Sequence, residues 1–350
     1  MIYLIGWTLI FTVLTLSELT GNRFRSPILL LLVFFTMVSV LRGDVGTDTN
    51  TYEFLVGGLA DNSDSSGMEP GFIGVSKVLF SIFDSPVMVV RFFSLIFFGL
   101  LFFYIARSNK NERFMFLAYI APAFIYQYSM NVIRLGVASG MLILAAQYYN
   151  RRRMKSSAAF AIGAVLFHYS IMCSFAVIWL SQMRWSRVST VLAGLLCSTL
   201  MLAIVYVNMD YFQLKLASYQ GFSAPGESSG LSKLVVLLVL VLGVLFSNLS
   251  RSDKGKLSVL GVGFGAFFWL LSSYTYAGLR FLDLLSFALP FAMLITYNRS
   301  QLEFNFAVKS SLMLSGLVGA LSAFKNFLSE DGMGPSPFLP YTINLIFELL

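Results

Sequence analysis

Apolar and polar positions in this chain do not alternate at short period; they come in blocks. Apolar runs cover about residues 2–17, 27–41, 86–106, 114–129, 132–150, 157–181, 188–207, 231–248, 257–276, 281–297 and 306–324, with a short run at 340–350. Roughly 20 apolar residues cross a bilayer as a helix. The pattern therefore predicts an all-α, polytopic integral membrane protein of about 11–12 transmembrane or re-entrant helices, read as a single membrane domain over residues 1–350. The first run has no basic leader and no small-residue cleavage site, so it is expected to stay as a span. The longest polar stretch, about 42–85, reads as a loop carrying a short amphipathic helix at Ile73–Phe83.

Composition narrows the class. The chain is 57% apolar and 12% charged, against roughly 45–50% and about 25% in soluble domains. That excludes a soluble enzyme, a secreted domain, a disordered chain and a nucleic-acid binder. The net charge of +7 fits Lys/Arg on cytoplasmic loops better than a polyanion-binding face. Cys173 and Cys197 lie inside apolar runs and read as buried thiols. With one histidine and no Cys/His cluster, no metal site is expected.

Charge sets the orientation. Three tight basic loops, Arg107–Arg113, Arg151–Lys155 and Arg251–Lys256, all belong in the cytoplasm under the positive-inside rule. An odd number of runs separates the second from the third. The conflict disappears if 157–181 is re-entrant, breaking near His168 and returning at Arg184 and Arg187. The alternative is an ordinary span with those two arginines outside. With the break, 15 of the 24 Lys/Arg are cytoplasmic, 8 face outward and Lys309 is left over, which places the loop 42–85 outside.

Several outward charges sit where burial is expensive. Arg134 opens the run after Asn131, Arg91 lies inside Pro86–Ala106, Arg280 stands between two runs and Arg42 ends the second. Ionisable groups in membrane segments point to function; snorkelling to the headgroups is the plainer reading. Helices starting near Pro86, Val132 and Phe281 would present positive dipole ends outward, with Asp84 or Ser85 and Asn131 as caps. Arginines beside helix N-termini suit phosphate or pyrophosphate. Gly136 and Gly140, four residues apart, would allow close helix approach. Gly261, Gly263 and Gly265 read as packing residues.

The loop Arg42–Glu53 is dense in hydroxyls and carboxylates, and Glu69-Pro70-Gly71-Phe72 adds a turn with one more carboxylate. A carboxylate near an anion site can serve as general base on a sugar hydroxyl; an ordinary solvated loop would look similar. His168 is either a hydrogen-bonded structural residue or a functional one at the helix break. The aromatic cluster Tyr119, Phe124, Tyr126 and Tyr128 could stack on sugar rings.

These residues resemble a known family. Arg42-Gly…Val-Gly46-Thr47-Asp48-Thr49…Tyr52 with Glu69-Pro-Gly71-Phe72 looks like the first signature of the EpsG/Wzy-type polysaccharide polymerases. Asn131-Val-Ile-Arg134-Leu-Gly136-Val-Ala138 is similar to its Asn-x-x-Arg-x-Gly-x-Ala block, departing only at Leu135, where Gln is commoner. Phe167-His168-Tyr-Ser170, Leu279-Arg280-Phe281 and Leu339-Pro340-Tyr341 resemble its later elements. The resemblance implies a GT-C-like glycosyltransferase of the bacterial inner membrane. It would join undecaprenyl-diphosphate-linked repeat units at the periplasmic face into O-antigen, capsule or exopolysaccharide.

It further implies that Arg134 and Arg280, helped by Arg42 or Arg91, hold the diphosphate. Asp48 is the preferred base, with Glu69 or His168 as substitutes, and Thr47, Thr49, Tyr52, Asn131, Tyr128 and Tyr341 contact substrate. No cofactor and no metal are expected. The partners are the lipid-linked units, the bilayer and a chain-length regulator. The rival readings are an O-antigen ligase and a lipid-linked oligosaccharide flippase.

Overall fold

The computed structural model describes residues 2–21, 24–60, 68–183, 206, 209, 213, 230–328 and 338–344. Arg184, Arg187, Cys197, most of the run 188–207 and residues 345–350 lie outside the described residues. Among those described, the fold is all-α, with one isolated antiparallel bridge between Arg42 and Ile343. Five described helices are long and apolar enough to cross a membrane: Ile2–Leu19, Pro86–Ala106, Arg251–Ser272, Tyr276–Arg299 and Phe306–Leu328. The protein is an all-α polytopic membrane protein.

The chain clusters into two compact units. The first comprises Met1–Asp64, Glu69–Tyr169 and Leu312–Leu350; the second comprises Ser65–Met68 and Ser170–Ser311.

In the first unit, α1 (Ile2–Leu19) and α2 (Ser26–Val40) precede α3 (Thr49–Ala60) and α4 (Pro70–Phe83). Next comes α5 (Pro86–Ala106), started by Pro86 in its first turn and by the Ser85 hydroxyl, which accepts from Met88 N at 3.4 Å. A capping box of Asn109 and Glu112 starts α6 (Lys110–Met115), and helix continues through a π turn (Phe116–Ile120), α7 (Ala121–Tyr126) and a second π turn (Gln127–Asn131). The chain breaks at Val132 and resumes as α8 (Ile133–Asn150), followed by α9 (Met154–Phe167). The core joins Tyr3, Trp7, Tyr126, Phe327 and Phe338, whose rings meet at centroid distances of 4.1–6.4 Å.

Two glycines set this geometry. A Cβ on Gly136 would overlap the Tyr128 carbonyl, so only glycine lets α8 fold back against the π turn that precedes it. A Cβ on Gly71 would sit 2.8 Å from the Leu166 carbonyl oxygen, which is why the first turn of α4 can rest on the last turn of α9. Gly140, by contrast, lies against Leu100 and Phe97 of α5, an interhelical contact of the kind its spacing suggested.

The helices of this unit connect two chemically different ends. One end carries Arg25, Arg107 and Arg151–Lys155; the other carries Arg42, Glu69, Arg134 and His168. At 1.5 Å per residue, Arg134 stands about 25 Å and His168 about 20 Å from the basic end. Both thus fall short of a full crossing of roughly 30 Å.

The second unit holds α10 (Ile171–Gln182), α11 (Leu231–Leu245), α12 (Arg251–Ser272) and α13 (Tyr276–Arg299), with Pro290 inside the last. In the glycine stretch of α12, Gly261 approaches Val241 and Leu289, and Gly265 approaches Leu237. Gly263 meets nothing within 4 Å, so two of the three are packing residues. The helix α14 (Phe306–Leu328) belongs to the first unit from Leu312 onward. Cys173 is a buried free thiol.

Helix ends also mark departures from expectation. The described residues of the stretch 42–85 form two helices, where one was expected: the hydroxyl-rich Thr49–Ala60 folds as α3 because Tyr52, Val56 and Leu59 are buried on one face. Asn131 does not cap α8; its side-chain oxygen is taken by the loop before α3.

Candidate functional site

The site lies within the first unit, where three helix N-termini meet one helix C-terminus. Thr47 Oγ1 and Asp48 N both donate to Asn131 Oδ1, at 2.8 and 3.0 Å, which pins the start of α3 to the residue just before α8. Gly46 makes this approach possible. It has φ +105°, and a Cβ there would lie 3.0 Å from the Met130 carbonyl oxygen. Asn131 Nδ2 donates to Gln127 Oε1 at 3.3 Å, so the π turn fixes which way the amide faces.

Glu69, immediately before α4, ties the remaining elements together. Its Oε2 accepts from Arg134 Nη1 at 2.6 Å, and its Oε1 lies 2.8 Å from His168 Nδ1. Glu69 is 1% exposed, whereas Arg134 and His168 are 12% and 17% exposed and can be reached from outside. Burial alone would raise the Glu69 carboxyl. The hydrogen bond from His168 and the charge of Arg134 outweigh it and bring the group down to about 2. Glu69 is therefore a carboxylate at every working pH and a poor proton acceptor. The rings of Tyr52 and Phe72 lie 5.5 and 5.4 Å from the Arg134 guanidinium carbon and hold it in place by cation–π contact.

The arrangement suits an anion. The positive ends of α3, α4 and α8 converge on Arg134, and only α9 contributes the opposite end, next to His168. A guanidinium has five N–H donors, so the bond from Nη1 to Glu69 orients the group while using one of them. Facing a carboxylate, Nδ1 is the donor, and in the neutral form of the imidazole the lone pair then lies on Nε2.

The arginines that looked alike in the sequence separate here. Arg42 is fully buried, and its Nη1 donates to Ser39 O at 2.5 Å and to Ser94 Oγ at 3.0 Å. Arg91 is 1% exposed and bonds the Arg42 and Gly43 carbonyls and Glu53. Arg91 thus holds the backbone at 42–43, while Arg42 reaches back to the carbonyls of Ser39 and Ser129. Both are buried on protein partners rather than snorkelling, which departs from the expectation that they assist on the diphosphate. Arg91→Met should lower stability by roughly 3–5 kcal/mol, because Glu53 and two carbonyls lose their donor. Thermal unfolding of the purified variant checks this. Arg280 lies exposed on α13 of the second unit, one turn before Asp283, which pairs with Lys233.

Other expected substrate contacts are also internal. Thr49 is 1% exposed, and its hydroxyl donates to Val45 O at 2.6 Å. Tyr128 packs in the core against Phe124 and Phe97, and Tyr119 and Tyr126 are buried with it, which removes these rings from sugar stacking. Tyr341 donates to Val38 O at 2.8 Å and fastens residues 338–344 beside Arg42. Tyr52 supports Arg134 rather than opening to substrate. Gln127 is absent from the sequence reading; it acts through Asn131, and a lone Gln in an apolar run carries no signal.

Gly71 gives a direct test of this geometry. Gly71→Val should push α4 off α9 and separate Glu69 from His168 by about 1 Å, a displacement that costs activity on the order of a hundredfold. Comparing activity at matched protein levels in the membrane checks it.

The EpsG family model matches residues 27–342. A stretch of 126 residues is 30% identical to the EPS I polysaccharide export inner membrane protein EpsF of Ralstonia nicotianae. A stretch of the same length is 31% identical to the protein of that name from Ralstonia solanacearum. Each match covers 34% of this chain and spans only 30% of the relative's own length. No solved structure matches the chain.

Proposed function

The chain belongs to the EpsG family, and from that premise we propose that it is a polysaccharide polymerase acting on repeat units carried by a polyprenyl diphosphate. The observation that carries this reading is the Arg134–Glu69–His168 triad at three converging helix N-termini. It pairs a cation for a leaving diphosphate with an oriented imidazole for a hydroxyl proton. The relatives' printed names, which concern polysaccharide export at an inner membrane, support an exopolysaccharide role and an inner-membrane location.

In the step we envisage, a hydroxyl of the incoming unit attacks the anomeric carbon of the chain. The bond from that carbon to the diphosphate oxygen breaks. The hydroxyl proton passes to Nε2 of His168, and the negative charge left on the diphosphate is held by Arg134 and the helix ends. Asp48, kept at the rim by Asn131, is the second candidate for base. The site depth, about 5–10 Å below the surface opposite the basic end, suits a carrier that arrives sideways from the lipid. The positive-inside rule puts that surface on the periplasmic side.

A deletion strain complemented with the wild-type gene tests the reading. Loss of the long ladder on a polysaccharide gel, with lipid-linked single units accumulating at the outer leaflet, is the expected result. Single units confined to the inner leaflet would indicate transport, the function in the relatives' names. Free long chains left on the carrier would indicate ligation. Either outcome overturns the proposal.

A further inference from the structure

We propose that the basic end of the first unit is a binding site for anionic phospholipid headgroups, a role independent of the polymerase reading. Arg25 Nη2 and Arg113 Nη1 both donate to the Ser108 carbonyl, at 3.0 and 2.6 Å. Arg151 donates to the neighbouring Arg107 carbonyl. Arg107 itself donates to the Tyr148 hydroxyl at 2.7 Å and lies 3.7 Å over the Phe103 ring. Four guanidiniums are thus gathered around two consecutive residues. Lys110, Arg152, Arg153 and Lys155 stand exposed beside them.

Acids do not balance this group. The segments that form this end carry eight described cations against Glu18 and Glu112. Glu112 is 2% exposed, and its Oε2 is taken by Asn109 N at 2.8 Å and Gln147 Nε2 at 3.0 Å. Membrane topology requires cytoplasmic Lys and Arg, but it does not require them to be tied to one another's backbone. Fixing like charges together costs energy that a bound anion recovers.

The surroundings identify the anion as a lipid. Leu19, Phe24 and Met154 are 79%, 59% and 56% exposed and flank the cations in sequence. Exposed apolar side chains interleaved with Lys/Arg belong at the level where headgroups meet acyl chains. There, basic clusters on the cytoplasmic side hold lipid phosphates. Free inorganic phosphate would have no use for the apolar flank.

The test titrates the full-length protein in detergent with phosphatidylglycerol, with phosphatidylcholine and with inorganic phosphate, following lipid retention by native mass spectrometry and thermal stability. Phosphatidylglycerol should bind at least about tenfold tighter than phosphatidylcholine, with inorganic phosphate inert. The preference should collapse at high salt. The double variant Arg152→Gln, Arg153→Gln should lose about tenfold or more of the preference. Equal affinity for the two lipids at low salt overturns the proposal, even if the variant cannot be produced. Equal stabilisation by inorganic phosphate, or an unaltered preference in the double variant, overturns it too.

Discussion

Arg134→Ala should lower polymer formation by about 10²–10³-fold while the protein still reaches the membrane. Arg134 is the cation that both approaches the outer part of the site and remains partly exposed. Removing it takes away the charge held for the diphosphate. It also leaves Glu69 Oε2 without its 2.6 Å donor, although Oε1 keeps His168. Arg134→Lys separates these effects. A lysine restores one positive charge but not the planar group beside Tyr52 and Phe72, so it should recover stability better than turnover. The measurement is the initial rate with lipid-linked units, read beside the melting temperature of each variant. Wild-type rates in a stable Arg134→Ala protein would remove this residue from diphosphate binding.

The sequence exposed the helical, membrane-embedded class because block length and loop charge are properties of the chain itself. It could not separate a lipid-facing residue from a core residue, since both are apolar. It could not rank the arginines for a related reason: Arg42, Arg91 and Arg134 differ only in what the fold puts beside them. The Glu69 partners stand 65 and 99 residues away in sequence, and the pairing depends on Gly71 and Gly136 closing two helix ends. In the sequence, α3 reads as loop because glycines and hydroxyls lower helix propensity. The spacing of Tyr52, Val56 and Leu59, four and then three residues, was the available signal. Asn131 shows the limit of local rules. Its position reads as a cap, yet its amide serves a loop 83 residues away.

Glu69→Gln should be the most costly of the isosteric changes at this site, in both stability and turnover. The native carboxyl sits near 2, below its ordinary value of 4.5. Its ionised form therefore adds stability that is fully present above about pH 4.5 and disappears as the pH falls through about 2. A shift of that size corresponds to about 3 kcal/mol. The stability gap between wild type and variant should be about 3 kcal/mol at neutral pH, shrink below about pH 4.5 and close near pH 2. A gap that is constant over this range would show that the carboxylate charge contributes nothing. Turnover should fall further than stability explains, by about 10²–10⁴-fold, because a neutral amide no longer fixes the proton on His168 Nδ1. His168→Gln should match that loss, and the double variant should add little to either single change. Independent, multiplying losses would mean that Glu69 and His168 act separately, and Asp48 would then be the stronger candidate for the base.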